Sequence, residues 1–432
     1  MIVPAVRLLW LAALVCLPAA AAAGLLPALA GLGSWALALC AAAALADAIA
    51  GARRIDMLEV RAPASVRLTK DTPAVIPLAI ENRMRRPASI RIGIRMPDGI
   101  DAAETVRKIV APAGHSTVDW TCTGVQRGDH LLGEVHLETP SPMGFWMIRH
   151  RYAAECKLRV YPSLRDRETA ELFQRTSTAG MRMRRQIGKG REFDNLRQYA
   201  FGDGIEDVHW KATARRGYPV VKQYRVEHAQ EVYAVVDASR LSAREGILEG
   251  YINAALHLAL VAERQGDRFG LVTFSDRTHT LVRARSGVQH FRHCREAIYN
   301  LQARRVSPDF GELFSSLQLH LRRRSLLVLF TSLDDALLAE TFEREVGIIA
   351  RRHLVLVNVT QTRGMQPLFT GEPPEDLDAV YAGLAGQMQW NRMRRLALAL
   401  GNRGVKLTVL EPDRIKTQVA AGYLEVKRRQ AL

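Results

Sequence analysis

From Leu8 to Ala46 the chain carries no charged side chain, a run of 39 residues between Arg7 and Asp47. A helix crossing a bilayer needs about 20 apolar residues. The run is too long for one span and suits two short ones. Gly24 and Pro27 interrupt its middle, with Gly31, Gly33 and Ser34 close behind. The spacing predicts two transmembrane helices, roughly Val6–Ala23 and Leu29–Ala50, joined by a tight turn. A hairpin returns both ends to one side. Arg7 flanks one end, Arg53 and Arg54 flank the other, and the turn holds no Lys or Arg. Basic residues keep their side of a span in the cytoplasm, so everything after residue 55 is expected there, beneath the inner membrane. A cleaved signal peptide ending near Ala23, followed by a single span, competes with the hairpin. Arg53 and Arg54 give it the same orientation. Asp47, near the end of the second helix, reads as reaching the interface, with no functional role.

The remainder is long enough for two or three domains. With 432 residues and a formal net charge of +16, the chain favours an anionic neighbour: a membrane surface, an acidic protein or nucleic acid. Its five cysteines are odd in number, two lie in the apolar N-terminus, and no C-x-x-C pair occurs. This argues against a disulfide framework and a cysteine-based zinc site.

Residues 55–162 read as a small all-β sandwich. In Ser89–Met96, Ile90, Ile92, Ile94 and Met96 alternate with polar or small residues. Val135 and Leu137 alternate with Glu134, His136 and Glu138. Turn signals recur between such runs, among them Pro97-Asp98-Gly99 and Arg127-Gly128-Asp129. The turn Ser141–Trp146 reads as core packing. Residues 163–229 form a basic connector, with Arg182, Arg184, Arg185, Lys189 and Arg191, and a denser segment beyond it.

Residues 230–432 alternate strands with helices. Val232–Val236, Phe269–Phe274, Leu326–Phe330, Leu354–Val359 and Val405–Leu410 are nearly continuous apolar runs. Thr278–Val282 reads as a further strand. Helical stretches are expected at 247–264, 288–302, 311–323 and 335–350, with a basic terminal helix. Such runs between helices predict a mostly parallel, Rossmann-type sheet covered on both faces. Ligands of these sheets sit at the carboxyl ends of the strands, where Asp237 and the 331–335 loop fall.

The sharpest stretch begins at residue 190: Gly190, Glu192, Phe193, Leu196, Arg197, Tyr199, Gly202, Asp203, Trp210, Lys211, Ala214 and Arg215. This spacing of G, E-F, L-R-x-Y, G-D and W-K-x-x-A-R resembles the signature of the domain of unknown function 58 family. The family resemblance implies a chain with N-terminal helices, a β-domain, the signature and a von Willebrand factor A-like α/β domain. It also implies a non-enzymatic adaptor or assembly factor partnered by a MoxR-type AAA+ ATPase and other membrane-complex subunits. Two readings of the signature stay open. Either the aromatics staple the connector onto the sheet, or Glu192, Arg197, Asp203, Trp210, Lys211 and Arg215 form a partner-binding surface. Where the family usually has basic residues after G-D, this chain has Glu206 and Asp207.

The resemblance also raises a Mg²⁺ site, since von Willebrand A domains often hold the ion through D-x-S-x-S, a Thr and a later Asp. Hard oxygen ligands suit that ion. Asp237 and Ser239 match the first motif, but Leu241 stands at its third position. Ser332 stands where the later Asp is expected, with Asp334 or Asp335 next in reach. The expectation is a degenerate site of Asp237, Ser239 and Asp334. There is no Walker A sequence, no G-x-S-x-G and no H-E-x-x-H. The competing reading is a membrane protein whose basic surface binds anionic lipid or nucleic acid. Against nucleic acid, the basic residues spread over every domain, which a membrane surface also explains.

Overall fold

The computed structural model describes residues 1–25, 30–163, 187–201, 203–225, 229–244, 246–362, 364–367 and 376–429. The chain divides into two compact units, Met1–Ser163 and Leu164–Leu432.

In the first unit, the uncharged run forms helices α1 (Val6–Leu25) and α2 (Ala30–Ile55). They pack through small residues: a Cβ placed on Gly33 would meet the Ala19 Cβ at 3.4 Å. Small side chains allow this close approach of backbones. Gly33–Ile55 is long and apolar enough to cross a bilayer, with a mean hydropathy of 1.8. The apolar stretch Val6–Ala20 is shorter. Of the expected turn, Pro27 lies outside the described residues.

Strand β1 (Ile2–Pro4) precedes α1. After α2 come β2 (Leu58–Arg61), β3 (Ser65–Thr69), β4 (Pro73–Asn82), β5 (Ala88–Ile94) and β6 (Ile100–Ala102). Then follow β7 (Val106–Ala111), β8 (Gly114–Gly124), β9 (Gly128–Pro140) and β10 (Trp146–Tyr161). One sheet runs β1-β10-β9-β5-β7 with β3 beside β10, and the other runs β2-β4-β8-β6. The alternation of β5 buries Ala88, Ile90, Ile92 and Ile94. They join Ile76, Leu78 and Ile80 of β4 and Leu132, Val135 and Leu137 of β9 in one core. The sandwich expected from the period-two pattern is the observed one.

Asp47 differs from its expectation. It does not reach water but is 3% exposed. Its carboxylate accepts hydrogen bonds from Ser141 Oγ at 2.5 Å, Met143 N at 2.9 Å and Phe145 N at 3.2 Å. Trp146 Nε1 donates to Ala44 O at 2.7 Å. The β9–β10 turn is therefore a clamp on α2 as well as a piece of core. Ahead of α1, β1 pairs antiparallel with β10, and the Met1 amine donates to Arg149 O at 2.9 Å. Both helices are stitched to the same strand pair.

In the second unit, β11 (Ile187–Gln198) and β12 (Val220–Arg225) form an antiparallel pair. The connector residues Arg182, Arg184 and Arg185 lie outside the described residues. The main sheet comprises β13 (Glu231–Asp237), β14 (Arg268–Phe274), β15 (Thr278–Arg285), β16 (Leu326–Phe330), β17 (Leu354–Thr360) and β18 (Val405–Leu410). Its order is β15-β14-β13-β16-β17-β18, parallel except for the β15 edge. The order reverses at β13, with β14 on one side and β16 on the other. Such a switch point leaves a crevice at the carboxyl ends of the strands.

Helices Ile247–Arg264, Val288–Ile298 and Ile415–Arg428 cover one face. Helices Phe310–His320, Ala336–Ala350 and Leu377–Gly401 cover the other. Ile247–Arg264 lies against the sheet with Ile252, Ala255, Leu256 and Ala259 buried. The 25-residue helix Leu377–Gly401 is absent from the sequence reading.

Candidate interaction surface

The signature residues build the connection that leads from the end of β11 back to the start of β12. Arg197 ends its strand with a two-pronged bond to Asp203, Nη1 to Oδ2 at 2.7 Å and Nη2 to Oδ1 at 2.5 Å. Ala200 N donates to Asp203 Oδ2 at 2.8 Å. The Arg197 guanidinium, then this backbone donor, holds the Asp203 carboxyl below its ordinary range. The loop so closed leads through a short 3-10 turn, Ile205–Asp207, to helix Trp210–Arg216. His209 caps that helix by accepting from Ala212 N through Nδ1. Gly217, at φ +76°, ends it in the left-handed conformation. Thr213 Oγ1 then accepts from Val220 N at 3.0 Å and starts β12.

Closing the loop this way leaves its apolar side chains outside. Phe201 is fully exposed, Ile205 is 75% exposed and Trp210 is 67% exposed. Tyr199 and Tyr218 are exposed beside them. Lys211, Arg215 and Arg216 are exposed on the short helix. The stapling expectation is corrected for Trp210, which is not packed against the sheet. Arg197 is corrected as an outward contact: its guanidinium is spent on Asp203. Glu192 lies in β11 opposite Arg225, and its side chain lies outside the described residues. Gly190 and Phe193 share that strand, and the Phe193 side chain lies outside the described residues.

The strand-end crevice contains the candidate metal residues. Asp237 is wholly buried at the end of β13. Its Oδ1 accepts from Ser239 N at 2.8 Å and its Oδ2 from Thr331 Oγ1 at 2.6 Å. Burial pushes its pKa up, and the Thr331 and Ser239 hydrogen bonds pull the other way. Ser239 Oγ accepts from Leu241 N, turning the chain into a 3-10 segment. Tyr251 donates to Thr331 O at 2.8 Å, bracing the same loop from beneath.

Asp334 faces a cation of the chain itself: Arg244 Nη1 sits 2.7 Å from its Oδ2, and Thr362 Oγ1 donates to that oxygen at 3.1 Å. Asp334 Oδ1 is buried without a hydrogen-bond partner among the described residues. Arg240 reaches Ser307 Oγ at 3.0 Å and Asp335 at 3.5 Å. Among the described residues no three His, Cys, Asp or Glu side chains converge as a metal cage. Two guanidinium groups beside the carboxylates and an Asp237 already engaged through both oxygens do not fit a divalent cation.

Helix Leu377–Gly401 borders this crevice, with Arg392 Nη1 donating to Asp334 O at 3.4 Å. Its first half exposes Leu377, Val380, Tyr381, Leu384 and Met388. The spacing i, i+3, i+4, i+7, i+11 makes one apolar stripe of a helix.

The family described as "Protein of unknown function DUF58" matches residues 195–370. The match covers less than half of the chain. It begins inside β11, so Glu192 and Phe193 lie just ahead of it, and it includes the closed loop, the short helix and strands β13 to β17. An uncharacterised protein of Mycobacterium tuberculosis is 30% identical over 175 residues, which are 39% of this chain and 54% of that protein. An uncharacterised protein of Mycobacterium bovis matches to the same extent. The chain thus spans about half the length of the curated relatives it matches. Among solved structures, the conserved hypothetical protein BatB from Bacteroides thetaiotaomicron is similar at 11% identity and a TM-score of 0.30. That match covers 46% of this chain and 99% of that one. The SpRpn10 VWA domain is similar at 12% identity and a TM-score of 0.28, over 43% of this chain and 89% of that one.

Proposed function

We propose that this protein is a membrane-anchored adaptor without catalytic chemistry, whose DUF58 segment docks a partner protein. The observation that carries this is the loop that Arg197 and Asp203 hold closed while Phe201, Ile205 and Trp210 stay in solvent. A rigidly held set of large apolar side chains beside Lys211, Arg215 and Arg216 is the composition of an interface centre with a charged rim. Aromatic residues of this kind carry much of an interface's affinity, and rim charges govern the rate of encounter. An acidic, apolar partner patch suits it. The stripe Leu377–Met388, beside the strand-end crevice, offers a second contact to the same partner.

The partner expected from the family resemblance is a MoxR-type AAA+ ATPase, with other membrane-complex subunits as its clients. Helices α1 and α2 anchor the adaptor as a hairpin in the inner membrane, with both soluble units in the cytoplasm. The test is co-purification of the detergent-solubilised chain from its native cells, with ATP and Mg²⁺ present. A MoxR-type ATPase should accompany the wild type and be lost from the Phe201→Ser/Trp210→Ala variant. If no ATPase accompanies the wild type, the partner assignment fails. If the double variant retains its partner in full, the tip is not the docking surface.

A further inference from the structure

The first unit carries a groove that neither the adaptor reading nor the core requires. It is lined by Arg7, Trp10, Leu11, Ala13, Leu14, Leu17 and Pro18 of α1 and by Phe145 of the β9–β10 turn, with a volume of about 550 Å³. Pockets that hold small ligands run from about 300 to 1,000 Å³. Residues 7, 10, 11, 14, 17 and 18 recur at helical spacing, so the groove follows one face of α1. Small residues pack α1 against α2 at Ala19 and Gly33, and this face stays open: Trp10, Leu14 and Leu17 are each at least 70% exposed.

Among the lining residues Arg7 alone is charged, and it stands at one end. Its guanidinium lies over Gly144, where an added Cβ would come 3.1 Å from Nη1 and where φ is +78°. The turn that places Gly144 and Phe145 is the one clamped to Asp47, so the mouth of the groove is built by the fold. From Arg7 to Pro18 the helix rises about 16 Å at 1.5 Å per residue. One leaflet of a hydrocarbon core about 30 Å thick has nearly the same depth. The dimensions are those of one acyl chain hanging from a headgroup. Trp10, one turn in from Arg7, stands at the level where indole rings favour the interface.

We infer that this groove is a binding site for one anionic phospholipid, its phosphate on Arg7 and an acyl chain along Trp10, Leu14 and Leu17 against Phe145. The inference rests on the proposed membrane insertion of the hairpin. Arg7 supplies the charge complementarity and the apolar face supplies the length. A lipid held here touches both α1 and the turn that joins the β-sandwich to α2.

Native mass spectrometry of the full chain in detergent, titrated with phosphatidylglycerol or phosphatidylcholine, tests it. The wild type should retain phosphatidylglycerol about fivefold more strongly, the worth of one arginine at an anionic surface. Arg7→Gln should bring the two lipids to parity. Leu14→Trp, which fills the groove and leaves Arg7 in place, should weaken retention of both. Equal retention of the two lipids by the wild type, or an unchanged preference in Arg7→Gln, overturns the site. Carbonate extraction of native membranes separates the two claims. A chain that stays in the membrane but shows no lipid preference sinks the lipid site alone, and a chain released by carbonate sinks membrane insertion together with it.

Discussion

Single buried polar groups set several of this protein's properties. His353 is buried, and neither ring nitrogen has a hydrogen-bond partner among the described residues. Burial, and then the Arg352 charge, lower its pKa from 6.5 to about 4. The folded chain prefers the neutral ring, so His353 contributes fully above pH 6.5 and its contribution is lost as pH falls toward 4. The difference between the two values corresponds to about 3 kcal/mol of unfolding free energy. Urea unfolding of the full chain in micelles should therefore weaken across that window, and His353→Leu should flatten the loss.

Asp237 works in the opposite sense. Its raised pKa means that ionisation is easier in the unfolded chain, so rising pH above the ordinary carboxyl range removes stability. Asp237→Ala strands Thr331 Oγ1 and Ser239 N and should cost about 1–3 kcal/mol for each buried group left unpaired. Asp237→Asn should cost less, and its melting temperature should gain on the wild type as pH rises from 4 to 8. A constant difference across that range would mean that Asp237 carries its charge unperturbed.

At the scale of elements, the joints matter more than the strands. The Asp47 clamp ties the middle of an apolar helix to a tight turn through three hydrogen bonds. Asp47→Ala leaves Ser141 Oγ and the amides of Met143 and Phe145 without their acceptor, while Asp47→Asn keeps one carbonyl oxygen for them. Limited proteolysis in micelles should cut the 141–146 turn faster in Asp47→Ala than in Asp47→Asn, and the wild type should be cut slowest. Equal rates in all three would show that the turn is held by Trp146 and the β1–β10 ladder instead. At the 199–210 loop the Arg197–Asp203 pair closes the chain while Phe201, Ile205 and Trp210 stay exposed. Helix Leu377–Gly401 has apolar residues on both faces, one set in the core with Met393, Leu396 and Leu400 and one in solvent. Two superposed stripes blur the single apolar stripe by which a helix is recognised.

At the scale of the whole molecule, the cations around the apolar run predict the orientation of the proposed membrane anchor. A green fluorescent protein fused after Leu432 should fluoresce in the bacterial cytoplasm, and an alkaline phosphatase fused there should be inactive. The reverse result would put both soluble units outside and remove any cytoplasmic ATPase from consideration.

The sequence by itself determined the two apolar helical segments, the two-sheet β unit and the alternating α/β unit, because periodicity of apolar residues is a local property that burial rewards wherever the chain folds. Ile90, Ile92 and Ile94 needed no tertiary knowledge to be placed inside, nor did Val232–Val236. The signature spacing likewise marked the stretch that matches the DUF58 family. Only the tertiary structure decided which polar groups meet. Asp47 lies 94 residues from Ser141, and Asp237 lies 94 residues from Thr331. Arg244 reaches Asp334 across 90 residues. Such partners leave no periodic trace, because a hydrogen bond or ion pair needs two atoms within about 3 Å, and loop closure alone brings them there. The same closure paired Arg197 with Asp203 and left Trp210 in solvent, an outcome that no spacing announces.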